Sequence, residues 1–261
     1  MQRVGIITTG QSPRHEYRSF HRKALAALGV DVVVSERACL DGLGRDEIRA
    51  HEITPEAGPG IGCYVHADVP ADRRMGTGWE EIFVDRDWYI ERARAAVAAH
   101  EQDGVDIILM CCAERYPPGS FKAGVPLLLP YQLMFDLTRR RAELKGHLRL
   151  ALLLPTPWHI EQDIATWHSE PWMTDVAVSI GVGIPDGKAV AELAPRGPFD
   201  LALIWGYGDG LAPHDPEDML ATISAGLGCP VITPNVLNVF NARLLLQPAW
   251  PERPHAEISA E

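Results

Sequence analysis

The stretch GVPLLLP at residues 124–130 decides the fold, because it returns 104 residues later as GCPVITP at residues 228–234. Both copies carry a glycine, a proline two residues on, a short apolar run and a closing proline. A short apolar run between turn residues is typical of a buried strand. The recurrence of the whole pattern favours an internal repeat over a chance likeness between strands.

Two further junctions recur in the same order along the chain. VGIITT at residues 4–9 resembles the segment 150–156, and VDIILM at residues 105–110 resembles FDLALI at 199–204. Runs without polar alternation are typical of parallel strands covered on both faces. We therefore predict an α/β fold of two pseudo-symmetric half-domains, each a parallel sheet flanked by helices. The functional site is expected in the crevice between the halves, at the carboxyl ends of the strands.

The boundaries of the halves follow from the same pattern. We expect one half over residues 1–130 and the other over 131–247, with the last helix packing back on the first half and a loose tail at 248–261. Glycine and proline predict an irregular insertion at residues 55–81. Ser12 as N-cap and Pro13 as first helical residue predict a helix to about Leu28. A second helix is predicted at 88–100, and strands at 4–8, 32–35, 105–110, 148–154, 176–180, 201–204 and 230–232.

Charge and cysteine usage restrict the partners and the compartment. The chain has 24 lysines and arginines against 35 aspartates and glutamates, a net charge of −11. This balance argues against nucleic acid and against an anionic membrane surface as partners. No apolar run resembles a signal peptide or a transmembrane helix. Five cysteines without framework spacing favour a reduced, cytoplasmic protein.

The loop TTGQSPR at residues 8–14 carries groups that suit an anionic ligand. Hydroxyl and amide groups beside a helix N-terminus can bind a carboxylate or a phosphate. A helix cap after a tight turn explains Gly10 and Ser12 equally well, but it does not explain Thr9, Gln11 and Arg14 together. The spacing fits neither nucleotide fingerprint, so neither NAD nor ATP is predicted.

Cys112 follows the apolar strand at 105–110 and is therefore expected at the mouth of the crevice. A thiol there can act as a nucleophile or exchange a proton if its pKa is lowered. The alternative is a small buried apolar residue, which is favoured for Cys111. The acidic segment after His214 is more typical of a helix N-terminus than of a metal site, so no metal is predicted.

These motifs resemble those of the AroM protein family. The resemblance covers roughly residues 3–245 and is carried by TTGQSPR at 8–14, CLDGL at 39–43 and the segments 105–112, 200–208 and 230–237. The AroM family is similar to the aspartate/glutamate/hydantoin racemase superfamily. That resemblance implies two pseudo-symmetric α/β halves, chemistry beside a carboxylate without a cofactor, and a homodimer.

The resemblance also implies which residues do the chemistry. In the superfamily, two cysteines exchange protons on opposite faces of the substrate. The first corresponds to Cys112, but Gly206 occupies the position of the second, and Ala113 and Glu114 replace the usual threonine and glycine. Two-base racemisation needs a proton carrier on each face. Members with a single cysteine instead decarboxylate their substrate or attack a double bond covalently, so a lyase or an isomerase is favoured.

Another side chain can replace the missing acid or base. The candidates are Tyr116, Tyr207, Asp209 and Glu114. A carboxylate at position 114 would raise the pKa of the neighbouring thiol unless a nearby arginine, Arg14 or Arg115, offsets it.

We therefore predict an enzyme that acts on a small carboxylic acid without a cofactor or a metal. One alternative is a racemase or epimerase with a second base that is not cysteine. Others are a catalytically inactive protein that binds a small carboxylate, and a hydrolase or metal-dependent enzyme using Glu114, Asp209 and His214. The predicted catalytic residues are Cys112, Glu114 and Tyr207. The predicted substrate-binding residues are Thr9, Gln11, Ser12, Arg14, Tyr116, Thr156, Gly206, Asp209 and Asn235.

Overall fold

The computed structural model describes residues 1–54, 57–66, 79–154, 160–183, 187–208 and 216–247, and the structural statements below concern these residues. Its strands are β1 (Gln2–Thr8), β2 (Val32–Ala38), β3 (Gly60–His66), β4 (Trp79–Asp85), β5 (Ile107–Cys111), β6 (Leu127–Leu128), β7 (Leu148–Leu154), β8 (Val176–Val182), β9 (Leu201–Ile204) and β10 (Val231–Ile232). Its α-helices are α1 (His15–Ala27), α2 (Arg45–Arg49), α3 (Arg86–Gln102), α4 (Pro130–Lys145), α5 (Ile160–His168), α6 (Lys188–Leu193), α7 (Pro216–Leu227) and α8 (Pro234–Leu246). None of the helices in these ranges is long and apolar enough to cross a membrane.

Two four-stranded parallel sheets form the framework. The first has the strand order β2-β1-β5-β6, and the second has the order β8-β7-β9-β10. The strands that recur in sequence therefore occupy the same positions in their sheets: β1 corresponds to β7, β5 to β9 and β6 to β10. This confirms the predicted α/β fold of two pseudo-symmetric halves.

The central strands are buried on both faces, as a parallel sheet between helices requires. All five residues of β5 are buried, and the last five residues of β7 are fully buried. Helix α3 packs against β1 and β2, and α1 packs against β2. These apolar strands supply most of the core, and their carboxyl ends lead into the loops of the site.

Helix α8 belongs to the second half in sequence but packs against the first half. Its buried residues Val239 and Ala242 share one apolar cluster with Val4 and Ile6 of β1. The Nε of Arg243 also donates to the carbonyl of Leu28 at 3.1 Å. The last helix thus covers β5 and β6 and links the two halves.

A β-hairpin interrupts the segment for which an irregular insertion was expected. Strands β3 and β4 pair antiparallel, with Tyr64 opposite Glu81. One face carries Ile61, Cys63 and Ile82 into the core. The prediction was wrong for β3, where Gly60 and Gly62 interrupt the apolar alternation, and for the first residues of β4. Residues 67–78, between the strands, lie outside the described part of the chain.

The hairpin is fixed to the loop between β1 and α1 by backbone hydrogen bonds. The N–H of Gln11 donates to the carbonyl of Tyr64 at 2.9 Å, and the N–H of Tyr64 donates to the carbonyl of Thr9 at 3.3 Å. Gly10 permits this approach, since its φ is 119° and a Cβ there would lie 2.0 Å from the Tyr64 carbonyl oxygen. The hairpin is therefore one wall of the site.

Helix α1 begins later than predicted, and Ser12 does not cap it. The N–H and the hydroxyl of Ser12 both donate to the carboxylate of Asp41, each at 2.8 Å. The N–H of Arg14 donates to the buried carboxylate of Glu36 at 2.9 Å, and the helix starts at His15. Contacts with residues distant in sequence thus displace the local cap.

Candidate functional site

A narrow cleft of about 70 Å³ lies between the halves, where β1, β5 and β9 end. Both halves and the hairpin contribute to it, as the prediction of a crevice site required. A cleft of this size leaves room for a small molecule only. Its walls are formed by Thr9, Tyr17, residues 111–114 after β5, residues 205–208 after β9, and Gly62, Tyr64 and Glu81 of the hairpin.

Cys112 lies in this cleft as a buried, protonated thiol. Burial is the main cause that raises its pKa to about 12, and the charge of Glu114 raises it further. Neither candidate arginine reverses this effect. Arg115 turns away to pair with Glu170 at 2.9 Å and to donate to the Ser169 hydroxyl at 2.6 Å. At neutral pH the sulfur therefore carries a proton that it can donate.

Glu114 and Gly206 both contribute to the cleft wall, from loops of different halves. Glu114 follows β5 together with Cys112, whereas Gly206 follows β9. The absence of a side chain at Gly206 leaves the second half without a thiol at this position. The cleft is therefore chemically asymmetric although the fold is pseudo-symmetric.

Tyr207 contributes to the cleft wall, but its hydroxyl points into a buried network. The hydroxyl lies 2.7 Å from Nε2 of His21 and accepts a hydrogen bond from Nδ2 of Asn238 at 2.9 Å. Nδ1 of His21 lies 2.7 Å from the carbonyl of Tyr17, so Nδ1 carries the proton and Nε2 accepts from Tyr207. Burial lowers the pKa of His21 to about 4 and keeps its ring neutral. The phenol thus connects the second half to α1 and α8.

Within the loop at 8–14, Thr9 contributes to the cleft wall, whereas Gln11 and Ser12 bind other parts of the protein. The amide of Gln11 donates to the carbonyl of Leu43 at 3.2 Å and accepts from the N–H of His66 at 3.0 Å. Ser12 is bound by Asp41, as described above. These two side chains hold the hairpin and the turn after β2 against the loop.

Arg14 is buried behind the cleft wall. Its guanidinium pairs with Glu16 and lies 4.5 Å from the centre of the Tyr17 ring. It also lies 5.2 Å from each of the ring centres of Tyr64 and Trp79. Tyr17 and Tyr64 contribute to the cleft wall and Arg14 does not, so Arg14 packs against two of the aromatic wall residues.

The remaining predicted residues are not part of the cleft wall or lie outside the described residues. Tyr116 is buried in the core of the first half, where its hydroxyl lies beside the Cys112 thiol and its ring stacks at 6.3 Å on Tyr89. Asn235 is buried at the start of α8, and its Oδ1 accepts from the N–H of Val236 at 2.7 Å. Thr156 and Asp209 lie outside the described residues, as does His214.

Eight residues of the cleft wall were not among the predicted site residues: Tyr17, Gly62, Tyr64, Glu81, Cys111, Ala113, Trp205 and Gly208. Glu81 is exposed at the mouth of the cleft, yet the surrounding walls remove part of its solvation and raise the pKa of its carboxyl group. The signal that could have found it is the alternation in WEEIFVD at residues 79–85, which places Glu81 and Phe83 on the face opposite Ile82 and Val84.

Metal binding has no support in the described part of the chain. No group of three or more histidine, cysteine, aspartate or glutamate side chains there is arranged to hold a metal ion. All five cysteines are free.

Comparison with known proteins gives the family. Solved structures with a similar fold include maleate isomerase from Pseudomonas putida (13% identity, TM-score 0.54, 94% of this chain and 92% of that chain). They also include allantoin racemase from Klebsiella pneumoniae (12%, 0.51, 94% and 88%) and arylmalonate decarboxylase (14%, 0.50, 97% and 95%). No curated protein matches the sequence. The model of the AroM protein family matches residues 4–196, which is well over half of the chain. The chain therefore belongs to the AroM protein family.

Proposed function

We propose that this protein is a cofactor-independent enzyme that acts on a small carboxylic acid, with Cys112 as proton donor. The observation that carries the proposal is a protonated thiol in a cleft between two pseudo-symmetric halves, opposite a glycine. The names of two structural neighbours, maleate isomerase and arylmalonate decarboxylase, indicate that this fold supports such chemistry.

A lyase reaction fits the state of the thiol better than covalent attack does. In a decarboxylation, the bond to the leaving carboxyl group breaks and its electron pair stays on the α-carbon. The Cys112 thiol then gives its proton to that carbon, and solvent reprotonates the thiolate. Covalent attack requires a thiolate in the resting enzyme, which a pKa of about 12 disfavours. We therefore favour the lyase over the isomerase.

Glu114 is proposed to keep Cys112 protonated between turnovers. Its negative charge is the second largest cause of the raised thiol pKa. Thr9 is proposed to contact the substrate from the loop after β1. Tyr207 is proposed to position the loop after β9 and not to transfer a proton, because its hydroxyl donates to His21.

The racemase alternative lacks a proton carrier among the cleft residues of the second half that the structure describes. The described wall residues after β9 are Trp205, Gly206, Tyr207 and Gly208, and the acidic hydrogen of Tyr207 is committed to His21. A second base would have to come from residues outside the described ranges, such as Asp209.

One observation favours the inactive binding protein. A thiol with a pKa of about 12 is inert in ordinary thiolate chemistry. The same thiol is competent as an acid only when a strongly basic carbanion forms beside it, so turnover has to be measured directly.

The test is a survey of small α-substituted malonates, maleate and simple hydroxy and amino acids in D₂O, followed by NMR. The wild-type protein is expected to release CO₂ from one of them, or to incorporate deuterium at its α-carbon. Cys112→Ala should lower that rate by at least about 10²-fold, the usual contribution of a general acid. Cys229→Ala, which removes a thiol outside the cleft, is the matched control. Undiminished turnover in Cys112→Ala would refute the proposal, and binding without turnover would favour the inactive protein.

A further inference from the structure

Tyr116 carries a buried hydroxyl that the proposed chemistry does not use. The residue is 1% exposed, and its hydroxyl oxygen forms no hydrogen bond of ordinary geometry with the residues that the structure describes. The hydroxyl of Tyr207 is also buried, but it has two hydrogen-bond partners, His21 and Asn238. An unsatisfied buried hydroxyl lowers the stability of a folded protein, so its presence requires an explanation.

The polar groups beside this hydroxyl are the thiol of Cys112 and the hydroxyl of Tyr89. The ring of Tyr116 stacks on that of Tyr89 at 6.3 Å, with an angle of 11° between the planes. Tyr131 fixes the backbone at this point, since its hydroxyl donates to the carbonyl of Tyr116 at 3.1 Å. Cys112 lines the cleft and Tyr116 does not, so the phenol approaches the sulfur from the core.

The hydrogen-bond donors in this part of the core are ordered toward Cys112. The thiol of Cys39 donates to the hydroxyl of Tyr89 at 3.2 Å. Burial raises the pKa of both Tyr116 and Cys112, and the next hydroxyl in the series lowers each of them, as a donor to the negatively charged form does. Each hydroxyl has one hydrogen, so the hydrogen of Tyr116 points to the sulfur and that of Cys112 is left for the cleft.

A sulfur that gives up its proton in a buried place needs such a donor. When the Cys112 proton passes to the substrate carbon, the electron pair of the S–H bond stays on the sulfur and a thiolate forms. Burial raises the pKa of Tyr116 well above its ordinary value, so the phenol keeps its own proton and remains a donor. Hydrogen bonds to ionised groups are about twice as strong as those between neutral groups. The contact therefore strengthens as charge develops, which is the condition for accelerating the reaction.

We propose that Tyr116 is a positioning residue whose hydroxyl donates a hydrogen bond to the Cys112 thiolate that forms on proton transfer. The inference deepens the proposed function, on which it rests, by naming the group that stabilises the charged form of the acid. The backbone N–H of Glu114 is a second donor to the same sulfur. The orphaned phenol of the resting protein thus gains its full partner only during the reaction.

The first experiment measures the reactivity of the Cys112 thiolate without a substrate. Wild type and variants are alkylated with iodoacetamide at about pH 9, and fragment mass spectrometry assigns the modified residue. Loss of the Tyr116 hydroxyl should lower the thiolate fraction at Cys112 by about tenfold or more, and the more basic thiolate regains about threefold through its higher nucleophilicity. Tyr116→Phe is therefore expected to slow the alkylation of Cys112 by at least about threefold.

Tyr131→Phe is the matched control. It removes a phenolic oxygen from the same aromatic cluster, but this oxygen binds a backbone carbonyl and not the sulfur. The alkylation rate of Cys112 should be unchanged in this variant. Equal rates in wild type and Tyr116→Phe would overturn the inference, and so would an equal loss in both variants. A Cys112 that iodoacetamide does not reach in the wild type would also overturn it, because such a thiol cannot give its proton to a ligand.

The second experiment separates this role from a structural one. Because the Tyr116 hydroxyl is unsatisfied in the resting protein, Tyr116→Phe should leave the urea midpoint of unfolding unchanged or raise it. A lower midpoint with an unchanged alkylation rate would show a structural hydroxyl and overturn the inference.

A third measurement remains decisive if Tyr116→Phe folds poorly. Introducing 3-fluorotyrosine at position 116 keeps the hydroxyl and makes it a stronger donor, so the alkylation of Cys112 should become faster. An unchanged or slower rate would contradict the inference. None of these outcomes depends on turnover, so failure here is distinguishable from failure of the proposed function, which Cys112→Ala tests.

Discussion

The hydroxyl of Tyr207 forms a buried hydrogen bond between the two halves, and Tyr207→Phe tests its contribution to stability. The substitution keeps the ring, which stacks on Tyr17 at a centroid distance of 5.7 Å, and removes the oxygen alone. It leaves Nε2 of the fully buried His21 without a donor. Nδ2 of Asn238 keeps its bond to the Met110 carbonyl at 3.0 Å and loses the one to Tyr207.

The expected loss of folding free energy follows from the hydrogen bonds that the substitution removes. Leaving one buried acceptor unsatisfied costs about 1–3 kcal/mol, and the lost bond from Asn238 adds about 1 kcal/mol. We therefore expect Tyr207→Phe to lower the free energy of unfolding by about 2–4 kcal/mol. Urea unfolding followed by tryptophan fluorescence measures this change.

A double-mutant cycle separates the hydrogen bond from other effects of the substitution. His21→Phe removes the acceptor, so the combined variant no longer contains an unsatisfied ring nitrogen. The double variant should be more stable than the sum of the single effects predicts, with a coupling of about 1–2 kcal/mol. Additive effects would show that the two side chains are not coupled. In that case Tyr207 would be free to transfer protons, contrary to our assignment.

Three further predictions concern single residues. Burial holds the pKa of His21 at about 4, below its ordinary 6.5, so between these pH values the folded state binds fewer protons than the unfolded state. The free energy of unfolding should therefore fall by up to about 3 kcal/mol as the pH drops from 6.5 to 4. Urea unfolding of His21→Gln should lack this part of the pH dependence. Glu114→Gln should lower the pKa of Cys112, which the pH dependence of alkylation by iodoacetamide measures; an unmoved pKa would contradict the charge effect. Gly10→Ala should lower the free energy of unfolding by more than about 2 kcal/mol, because its Cβ would overlap the Tyr64 carbonyl of the hairpin. Gly42→Ala is the control, since Gly42 has a φ of 78° and open space around it, and it should lower the free energy of unfolding by only about 1 kcal/mol.

The sequence predicts the sheets well because their strands are continuous apolar runs. The repeated glycine–proline pattern at 124–130 and 228–234 marks the same edge strand in each half. It also predicts that Cys112 and Gly206 face one cleft, since residues that follow neighbouring parallel strands meet at one edge. These predictions need only local pattern and the general geometry of parallel sheets.

Predictions about the loop at 8–14 were less accurate because its partners are distant in sequence. Gln11 is bound by residues 32 and 55 positions away, and Ser12 by one 29 positions away. Neither partner can be read from local propensity, which favours a helix cap at Ser12. Glu81 was missed for a similar reason: the alternation in residues 79–85 shows which side chains share a face, but only the pairing with β3 brings that face to the cleft.

The pseudo-symmetry of the fold makes its chemical asymmetry informative. Corresponding loops after β5 and β9 reach the same cleft, one with the Cys112 thiol and the other with Gly206 and a tyrosine bound to the first half. Under the proposed chemistry, a carbanion formed in the cleft meets an acid on the first-half face and no described acid on the other. Proton delivery from one face produces a single enantiomer from a prochiral substrate. Under the proposed chemistry, a glycine at position 206 therefore favours the formation of one stereoisomer over the exchange of two.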